Sequence, residues 1–265
     1  MRIALGIEYN GSGFHGWQMQ QPGIRSVQLV VEQAIAKVAD HAVRVHCAGR
    51  TDTGVHALEQ IIHFDTQAQR PQRAWTQGVN VNLPDDVSVL WSRQVPEEFH
   101  ARFSAERRSY RYLILNRSMR SALQHGRVTW IHRPLDAEVM HKAARVLLGT
   151  HDFSSYRALG CQAKSPVRTL HRISVRRCGE ILELGIEANA FLHHMVRNIA
   201  GVLIAIGKGE AGSDWAKEVL ELRDRRLGGV TAPPDGLYFE KVHYPDRFEL
   251  PAVNPGNFLN IQRDI

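Results

Sequence analysis

The order of hydrophobic patterns along this chain is the feature that most constrains its fold. Residues 2–8 alternate as a strand, and residues 27–38 carry apolar side chains at helical spacing behind Ser26, an expected N-cap. Two alternating stretches follow on either side of a glycine-rich loop. Residues 73–81 then predict a helix, and residues 87–94 predict a strand. Strand, helix, two strands, helix and strand is the ferredoxin-like arrangement.

A similar order returns in the second half of the chain. The predicted elements are strand 110–115, helix 136–148 opening on Asp136, strands 173–177 and 181–186, helix 191–206 and strand 238–244. A chain of 265 residues can hold one large domain or two small ones. No low-complexity linker separates the two series. We place the boundary near Ala105, which predicts halves at 1–104 and 105–265.

The chain is basic, and most of its positive charge is arginine. The formal net charge is +6, and 27 of the 33 basic residues are arginine. Arginine suits bidentate phosphate contacts and stacking on bases, although an arginine-rich composition also follows from a GC-rich genome. The basic residues crowd two stretches, 102–120 and 168–177, which contain or border aromatic residues. This placement favours a nucleic-acid partner, and composition alone leaves both explanations open.

Cysteine content and hydropathy indicate the compartment. The three cysteines have no C-x-x-C spacing, which argues against a disulfide framework and against a thiolate zinc site. The longest apolar run, residues 199–206, is too short to span a bilayer, and the N-terminus has no signal-peptide pattern. We therefore expect a cytoplasmic protein without a membrane segment.

The glycine-rich loop between the two central strands of the first half contains one acid. It reads Gly49-Arg50-Thr51-Asp52-Thr53-Gly54-Val55-His56-Ala57. A short polar loop fixed between strands can hold a carboxylate still, and such loops often carry binding or catalytic groups. The alternative from spacing alone is an ordinary Asp turn next to a surface arginine.

This loop resembles the GRTDxGVHA signature of the tRNA pseudouridine synthase A family. Other blocks resemble the same family in the same order: 7–12 with 16–18, 99–105 with 110–112, 189–199, and 236–238. The resemblance implies an α/β (α+β) fold with two similar ferredoxin-like or RRM-like halves. It further implies that the halves share a mixed, mainly antiparallel sheet, with helices on one face and a central cleft.

The resemblance also implies a function. The family isomerises uridines 38, 39 and 40 in the anticodon stem-loop of tRNA, and its members are cytoplasmic homodimers. The reaction breaks the N1–C1′ bond, turns uracil and rejoins it through C5. It involves no redox or phosphoryl-transfer step, so we expect no organic cofactor and no metal.

Three residues are implied to act in the chemistry. Asp52 is the expected nucleophile, attacking C6 of the base or C1′ of the sugar, or assisting removal of the 2′ proton; the sequence does not choose among these. Arg197 is the expected cationic partner that keeps the carboxylate ionised. Tyr110 is expected to stack on a flipped uracil and to help move a proton. The alternatives are a structural ion pair for Arg197 and a core position for Tyr110.

Further residues are implied to contact tRNA, each with a solvated basic surface as the alternative. They are Arg50, Arg70, Phe99, His100, Ala101, Arg102, Phe103, Ser118, Gly160, Cys161, Gln162, Ala163 and Lys164.

Other functions have weaker support in the sequence. Gly11–Gly16 spells G-x-G-x-x-G, but helical spacing begins only at Ser26, which disfavours a nicotinamide site. His193 and His194 are adjacent, and side chains at adjacent helical positions point about 100° apart, which disfavours zinc. Asp52-Thr53-Gly54 matches the D-T-G of aspartic proteases, which pair two carboxylates and set the motif in apolar sequence. An RNA-binding module with an inactive site is the remaining alternative.

Overall fold

The computed structural model describes residues 1–253, and these pack as two compact units. The first contains residues 1–107 together with the described residues from 238 onwards, and the second contains residues 108–237. Each unit combines a β-sheet with helices, which confirms the predicted α/β class. The division into domains at 1–104 and 105–265 stays a prediction. In the packing of the described residues, the last strand belongs to the first unit.

The chain forms these strands and helices in sequence order. The strands are β1 (Arg2–Tyr9), β2 (His46–Cys47), β3 (His56–Asp65), β4 (Val87–Val95), β5 (Arg107–Asn116), β6 (Thr129–Ile131), β7 (Gly149–Asp152), β8 (Val167–Cys178), β9 (Ile181–Ala188) and β10 (Leu237–His243). The α-helices are α1 (Val27–Ala39), α2 (Ala137–Ala144), α3 (Met195–Gly207) and α4 (Trp215–Leu222).

The first unit has the predicted ferredoxin-like strand order. Its strands lie in the order β4-β1-β3-β2, and all three pairings are antiparallel. Strand β10 pairs in parallel with the start of β3, where Tyr238 lies opposite His56. A short π-type helix at Ala74–Gly78 packs near α1, and Trp75 meets Phe64 of β3 edge to face at 5.4 Å. The predicted helix at 73–81 is therefore largely confirmed, with an irregular centre.

Helix α1 forms where the sequence predicts it. The Ser26 hydroxyl accepts a hydrogen bond from the Leu29 N–H at 3.4 Å, so it satisfies one of the unpaired donors of the first turn. The helix ends at Asp40, whose backbone is left-handed with φ 60°. Its buried face includes Val27, Val31 and Ile35, which are completely inaccessible to solvent.

The second unit repeats the succession strand, helix, two strands, helix. Strand β9 lies between β5 and β8, as β3 lies between β1 and β2, and β7 extends the sheet beyond β8. Helix α2 packs on β8 and on α3. Its cap, Asp136, accepts from the N–H groups of Glu138 and Val139 at 3.0 Å each. The α-helix ends at Ala144 and tightens into a 3₁₀ turn, so it is shorter than predicted.

One predicted helix begins four residues late. Helix α3 starts at Met195, and the preceding residues Phe191–His194 are not helical. Asn189 explains part of this, because its side-chain oxygen accepts from the N–H groups of Ala190 and Thr169 and holds the chain in a turn. His194 then enters the helix with a left-handed backbone, φ 61°. The argument against zinc assumed that His193 and His194 occupy adjacent positions of a helix. The structure shows that both precede the helix, so that argument does not apply.

Three elements were not predicted from the sequence. Strands β6 and β7 have only three and four residues, and helix α4 has eight. Short elements carry too little periodic signal to be recognised from a single sequence. Within residues 1–253, no helix has both the length and the apolar character that a membrane crossing requires.

Candidate active site

In the first unit, the loop that carries Asp52 is held by hydrogen bonds on both flanks. The Thr51 and Tyr9 hydroxyl groups share a buried hydrogen bond of 2.8 Å, and the Thr51 carbonyl accepts from the Trp17 N–H at 3.0 Å. The Val55 N–H donates to the Asp52 carbonyl at 3.1 Å. Asp52 itself is half-buried. Its backbone is thus fixed while its side chain keeps partial access to solvent.

Two glycines of the segment 11–16 allow that segment to touch the Asp52 loop. Gly16 has φ +85°, and a Cβ there would lie 2.8 Å from the Thr51 carbonyl oxygen. A Cβ on Gly11 would lie 2.0 Å from the Val55 carbonyl oxygen. The G-x-G-x-x-G pattern opens a 3₁₀ turn rather than a long helix, so it lacks the dinucleotide geometry. These glycines serve instead to bring two backbones together, which the sequence did not reveal.

His56 connects the same loop to the last strand of the unit. Its Nδ1 accepts from the Gly11 N–H at 3.0 Å, and its ring stacks on Tyr238 with centroids 4.6 Å apart. Because the Gly11 N–H donates to it, Nδ1 carries no proton and the imidazole is an acceptor there. His56 is therefore a buried supporting residue of the loop.

In the second unit, strand β5 carries Tyr110 and Tyr112 on one face. Tyr110 is 9% exposed and meets the Phe191 ring edge to face at 4.9 Å. Tyr112 is fully buried, and its hydroxyl contacts the Thr129 hydroxyl at 2.6 Å and the Pro233 carbonyl at 2.9 Å. Burial raises the pKa of Tyr112, and nearby Arg197 acts in the opposite direction. Tyr112 is thus a core residue, and its hydroxyl connects β5 to the segment 228–236 through Pro233.

Arg197 lies in the first turn of α3, and the same segment holds it. Its Nε donates to the Ala232 carbonyl at 2.8 Å, and the Ala232 N–H donates to the Arg197 carbonyl at 3.0 Å. The side chain is half-buried. We expected this charge in the middle of an apolar helix, and the later start of α3 places it at the helix entrance instead.

The next residue, Asn198, was missed from the sequence although it organises this region. It is 1% exposed, and its Oδ1 accepts from the Thr231 hydroxyl at 2.6 Å and from Arg225 Nη2 at 3.1 Å. Its Nδ2 donates to the Tyr156 carbonyl at 2.7 Å. A Cβ on Gly201 would strike the Val230 carbonyl, so the segment 228–236 lies directly on α3. An asparagine within an apolar helix is the signal that could have shown this network.

A comparison with known proteins decides the family. A family model described as tRNA pseudouridine synthase matches residues 6–104 and 143–245. The chain belongs to the tRNA pseudouridine synthase family. It is 59% identical over 265 residues to tRNA pseudouridine synthase A of Pseudomonas aeruginosa, covering all of this chain and 93% of that protein. It is 58% identical to the enzyme of that name from Methylococcus capsulatus, covering 94% of this chain and 92% of that protein.

Membership of the tRNA pseudouridine synthase family confirms the resemblance found in the sequence. A third relative, tRNA pseudouridine synthase A of Alcanivorax borkumensis, is 56% identical over 94% of this chain and 94% of its own length. The chain is accordingly an isomerase that acts on tRNA. The aspartic-protease and nicotinamide hypotheses thereby lose their support.

The residues of the first unit that the resemblance linked to tRNA divide by exposure. Arg50, beside Asp52, and Arg70 are both exposed, and Arg70 donates from Nε to the Val38 carbonyl near the end of α1 at 3.0 Å. In the segment 99–103, Phe99 and Ala101 are completely buried. Only the other three side chains of that segment, those of His100, Arg102 and Phe103, reach the surface. The two buried residues can therefore shape the segment but cannot contact RNA through their side chains.

In the second unit, the remaining tRNA-linked residues lie in two surface segments. Ser118 is exposed in the loop after β5, and Gly160–Lys164 lie in a loop outside regular structure. The Cys161 N–H donates to the Ala158 carbonyl at 3.0 Å. A cavity of about 400 Å³ adjoins this loop, with Leu159 and Val230 among its lining residues. The loop thus borders the segment that holds Arg197.

Proposed function

We propose that this member of the tRNA pseudouridine synthase family converts uridines 38, 39 and 40 of the tRNA anticodon stem-loop to pseudouridine, with Asp52 as nucleophile. The observation that carries the proposal is the Asp52 loop, which is fixed by Tyr9, Trp17 and the glycine at position 16. A carboxylate that must attack one atom of a bound nucleotide needs a backbone held in this way.

The proposed isomerisation balances within the substrate. The N1–C1′ bond breaks, the uracil turns, and a C5–C1′ bond forms. The proton on C5 leaves to solvent, and N1 gains a proton. Asp52 provides a temporary bond or a base during this sequence, and the route through C6, C1′ or the 2′ position stays open. Because the isomerisation exchanges only protons with solvent and includes no redox or phosphoryl-transfer step, we expect it to need no organic cofactor and no metal.

Tyr110 and Arg197 are the other two residues proposed to act in the chemistry. The edge contact with Phe191 holds the Tyr110 ring in place. A ring held in this way suits stacking on an extruded base, and its hydroxyl can move a proton. The hydrogen bond to Ala232 fixes the direction of the Arg197 guanidinium through Nε. That arrangement suits the proposed role of Arg197 as the cation that keeps the Asp52 carboxylate ionised.

The proposed tRNA contacts follow from charge and exposure. The exposed candidates are Arg50, Arg70, Arg102, Phe103, Ser118 and parts of Gly160–Lys164, and His100 is half-buried. With a net charge of +6, the chain should bind tRNA largely through phosphates, so affinity should fall with salt. We further propose a cytoplasmic homodimer, which sedimentation of the purified protein would check.

A set of tRNA transcripts that carry 5-tritiated uridine tests the proposal. Forming the C5–C1′ bond must release the label from a converted uridine. We expect release from a transcript with uridine at positions 38, 39 and 40, and loss of release when cytidine occupies all three. Transcripts with uridine at one of the three positions would then report each site. Release from the transcript without these uridines would contradict the proposed site.

A further inference from the structure

Three histidines of the first unit, His46, His63 and His100, form a cluster beside the proposed tRNA-contacting segment. His46 lies opposite His63 in the pairing of β2 with β3, and their rings stack with centroids 5.0 Å apart. His100 contacts both, at 4.6 Å from His63 and 5.3 Å from His46. No role for His46 or His63 was predicted from the sequence. We call these three residues the histidine cluster.

The histidine cluster supplies acceptors for the backbone of the turn 99–104. Six consecutive N–H groups of this turn have acceptors within the unit. These are, in order, Pro96 O for Phe99, Ser104 Oγ for His100, His63 Nδ1 for Ala101, His100 Nδ1 for Arg102 and Phe103, and His100 O for Ser104. Imidazole nitrogens therefore accept three of the six hydrogen bonds. The bond from the Ala101 N–H to His63 is buried, so the turn depends on this acceptor, whereas the bonds of the Arg102 and Phe103 N–H groups to His100 are exposed.

Both accepting histidines must be neutral and carry their proton on Nε2. Protonation would convert each Nδ1 from an acceptor into a donor facing a backbone N–H. The surroundings oppose protonation, because the pKa of His63 is lowered to about 3 by burial, then by His100, Arg2 and His46, with Asp65 acting in the opposite direction. Burial also lowers the pKa of His100, assisted by His46, Arg2 and Arg102.

The turn presents two side chains that suit RNA. The Phe103 ring is 76% exposed and lies on His100 with centroids 4.3 Å apart. The Arg102 guanidinium lies 5.6 Å from the Phe103 ring centroid. Burial raises the pKa of the Cys47 thiol to about 12, and the positive charges of Arg50 and Arg102 act in the opposite direction. Both guanidinium groups therefore lie near this thiol. Arg102 and Phe103 thus form a cationic and aromatic surface next to the histidine cluster. Such a surface suits binding of an unpaired base and its phosphate.

We propose that His63 is a positioning residue for tRNA binding, acting through Arg102 and Phe103. Its neutral imidazole holds Ala101 at the centre of the turn, and His46 supports His63 by stacking. This inference rests on the proposed function, because it assumes that the turn contacts the tRNA substrate. Arg102 is exposed, whereas His63 is 1% exposed, so its side chain is too buried to touch RNA directly.

Paired substitutions at His63 test the inference through tRNA binding and turnover. His63→Leu removes the acceptor, and His63→Asn keeps an oxygen near the position of Nδ1. We expect His63→Leu to raise Kd and KM for tRNA by about tenfold, with kcat little changed, and to lower the slope of log affinity against log salt by about one. His63→Asn should restore binding. His41→Leu, which removes another hydrogen-bonded histidine of this unit, should bind like the parent.

A combined variant separates positioning from general stability. If His63 acts through Arg102 and Phe103, His63→Leu should weaken binding little further once Arg102→Ala and Phe103→Ala are both present. Independent effects that multiply, parental binding by His63→Leu, or failure of His63→Asn to restore binding would each overturn the inference. Binding and tritium release are read separately. A parent that binds tRNA but releases no label contradicts the proposed function, whereas a parent that releases label with no change in His63→Leu contradicts only this inference.

Nitrogen NMR of the parent protein gives a result that does not depend on any variant folding. With ¹⁵N-labelled histidine, His63 should show an unprotonated Nδ1 and a protonated Nε2 from about pH 8 to about pH 5. A protonated Nδ1 in this range would overturn the inference.

Discussion

Arg197 and Ala232 form a reciprocal pair of hydrogen bonds. The Arg197 Nε donates to the Ala232 carbonyl at 2.8 Å, and the Ala232 N–H returns a bond of 3.0 Å to the Arg197 carbonyl. The pair joins the first turn of α3 to the segment 228–236, which Asn198 also binds through Thr231. Backbone atoms of the segment 228–236 thus help to set the direction of the guanidinium.

Two substitutions of Arg197 should separate the effect of its charge from the effect of the Nε hydrogen bond that orients its guanidinium. Arg197→Lys keeps the charge and loses the Nε donor, while Arg197→Met loses both. We expect each to lower the free energy of unfolding by about 1 kcal/mol through the lost hydrogen bond, and Arg197→Met to lower turnover at least about a hundredfold. Thermal unfolding and tritium release measure these effects, with the exposed Arg145→Met as control. Turnover of Arg197→Met at the parental rate would remove Arg197 from the chemistry.

Gly16 should be required for the position of the Asp52 loop. Gly16→Ala combines backbone strain at φ +85° with a Cβ that lies 2.8 Å from the Thr51 carbonyl oxygen. Gly23→Ala is a matched control, because Gly23 has φ +88° and nothing within 4 Å of its Cβ position. We expect Gly16→Ala to cost about 2 kcal/mol more than Gly23→Ala in unfolding free energy, and to lower kcat. Equal effects in the two variants would mean that the close contact does not position the loop.

These two predictions show what the sequence could and could not reveal. The apolar spacing behind Ser26 predicted α1 because a helix and its cap depend on neighbouring residues. The late start of α3 depends on Asn189, which also bonds to Thr169, twenty residues earlier. The role of the glycine at position 16 depends on a loop thirty-five residues later. Contacts of this kind leave no periodic pattern in one sequence.

The candidate site divides in the same way. The motif around Asp52 was recognised because adjacent residues carry it. The acceptor role of His63 was not, because its partner, Ala101, is 38 residues away and donates from its backbone, which any residue could do. Sequence resemblance therefore identified the groups proposed to touch the substrate, and the structure was needed to find those that hold them.

Stability should fall as the pH decreases below the unfolded pKa of histidine. The folded pKa of His63 is lowered to about 3, whereas an unfolded histidine titrates near about 6.5. Between these values the unfolded chain binds more protons, so the contribution is fully present above about pH 6.5 and is lost progressively towards about pH 3. The slope from one such histidine is at most about 1.4 kcal/mol per pH unit.

Urea unfolding at a series of pH values measures this dependence. His63→Asn cannot titrate here, so its stability should vary less with pH than that of the parent. Identical pH dependence in the two proteins would show that His63 does not carry the effect. His41→Leu, in which another histidine of the same unit is lost, is the matched control.

Tyr110 and Tyr112 should respond differently to loss of the hydroxyl group. Tyr110→Phe keeps the ring against Phe191, so we expect KM to stay within a few-fold and kcat to fall by about tenfold or more. Tyr112→Phe breaks hydrogen bonds to Thr129 and Pro233, so it should lower the unfolding free energy by about 1 kcal/mol. Steady-state kinetics and thermal unfolding separate the two. A Tyr110→Phe variant that turns over like the parent would leave stacking as the only role of Tyr110.

Tritium release by Asp52→Asn is the most direct test of the central claim. The substitution removes the negative charge and nucleophilicity with almost no change in shape, and Asp40→Asn, an exposed acid at the end of α1, is the matched control. We predict that Asp52→Asn binds tRNA within a few-fold of the parent and releases no label, while Asp40→Asn releases label at the parental rate. Release by Asp52→Asn above about one per cent of the parental rate, with contaminating parent enzyme excluded, would contradict the nucleophile assignment.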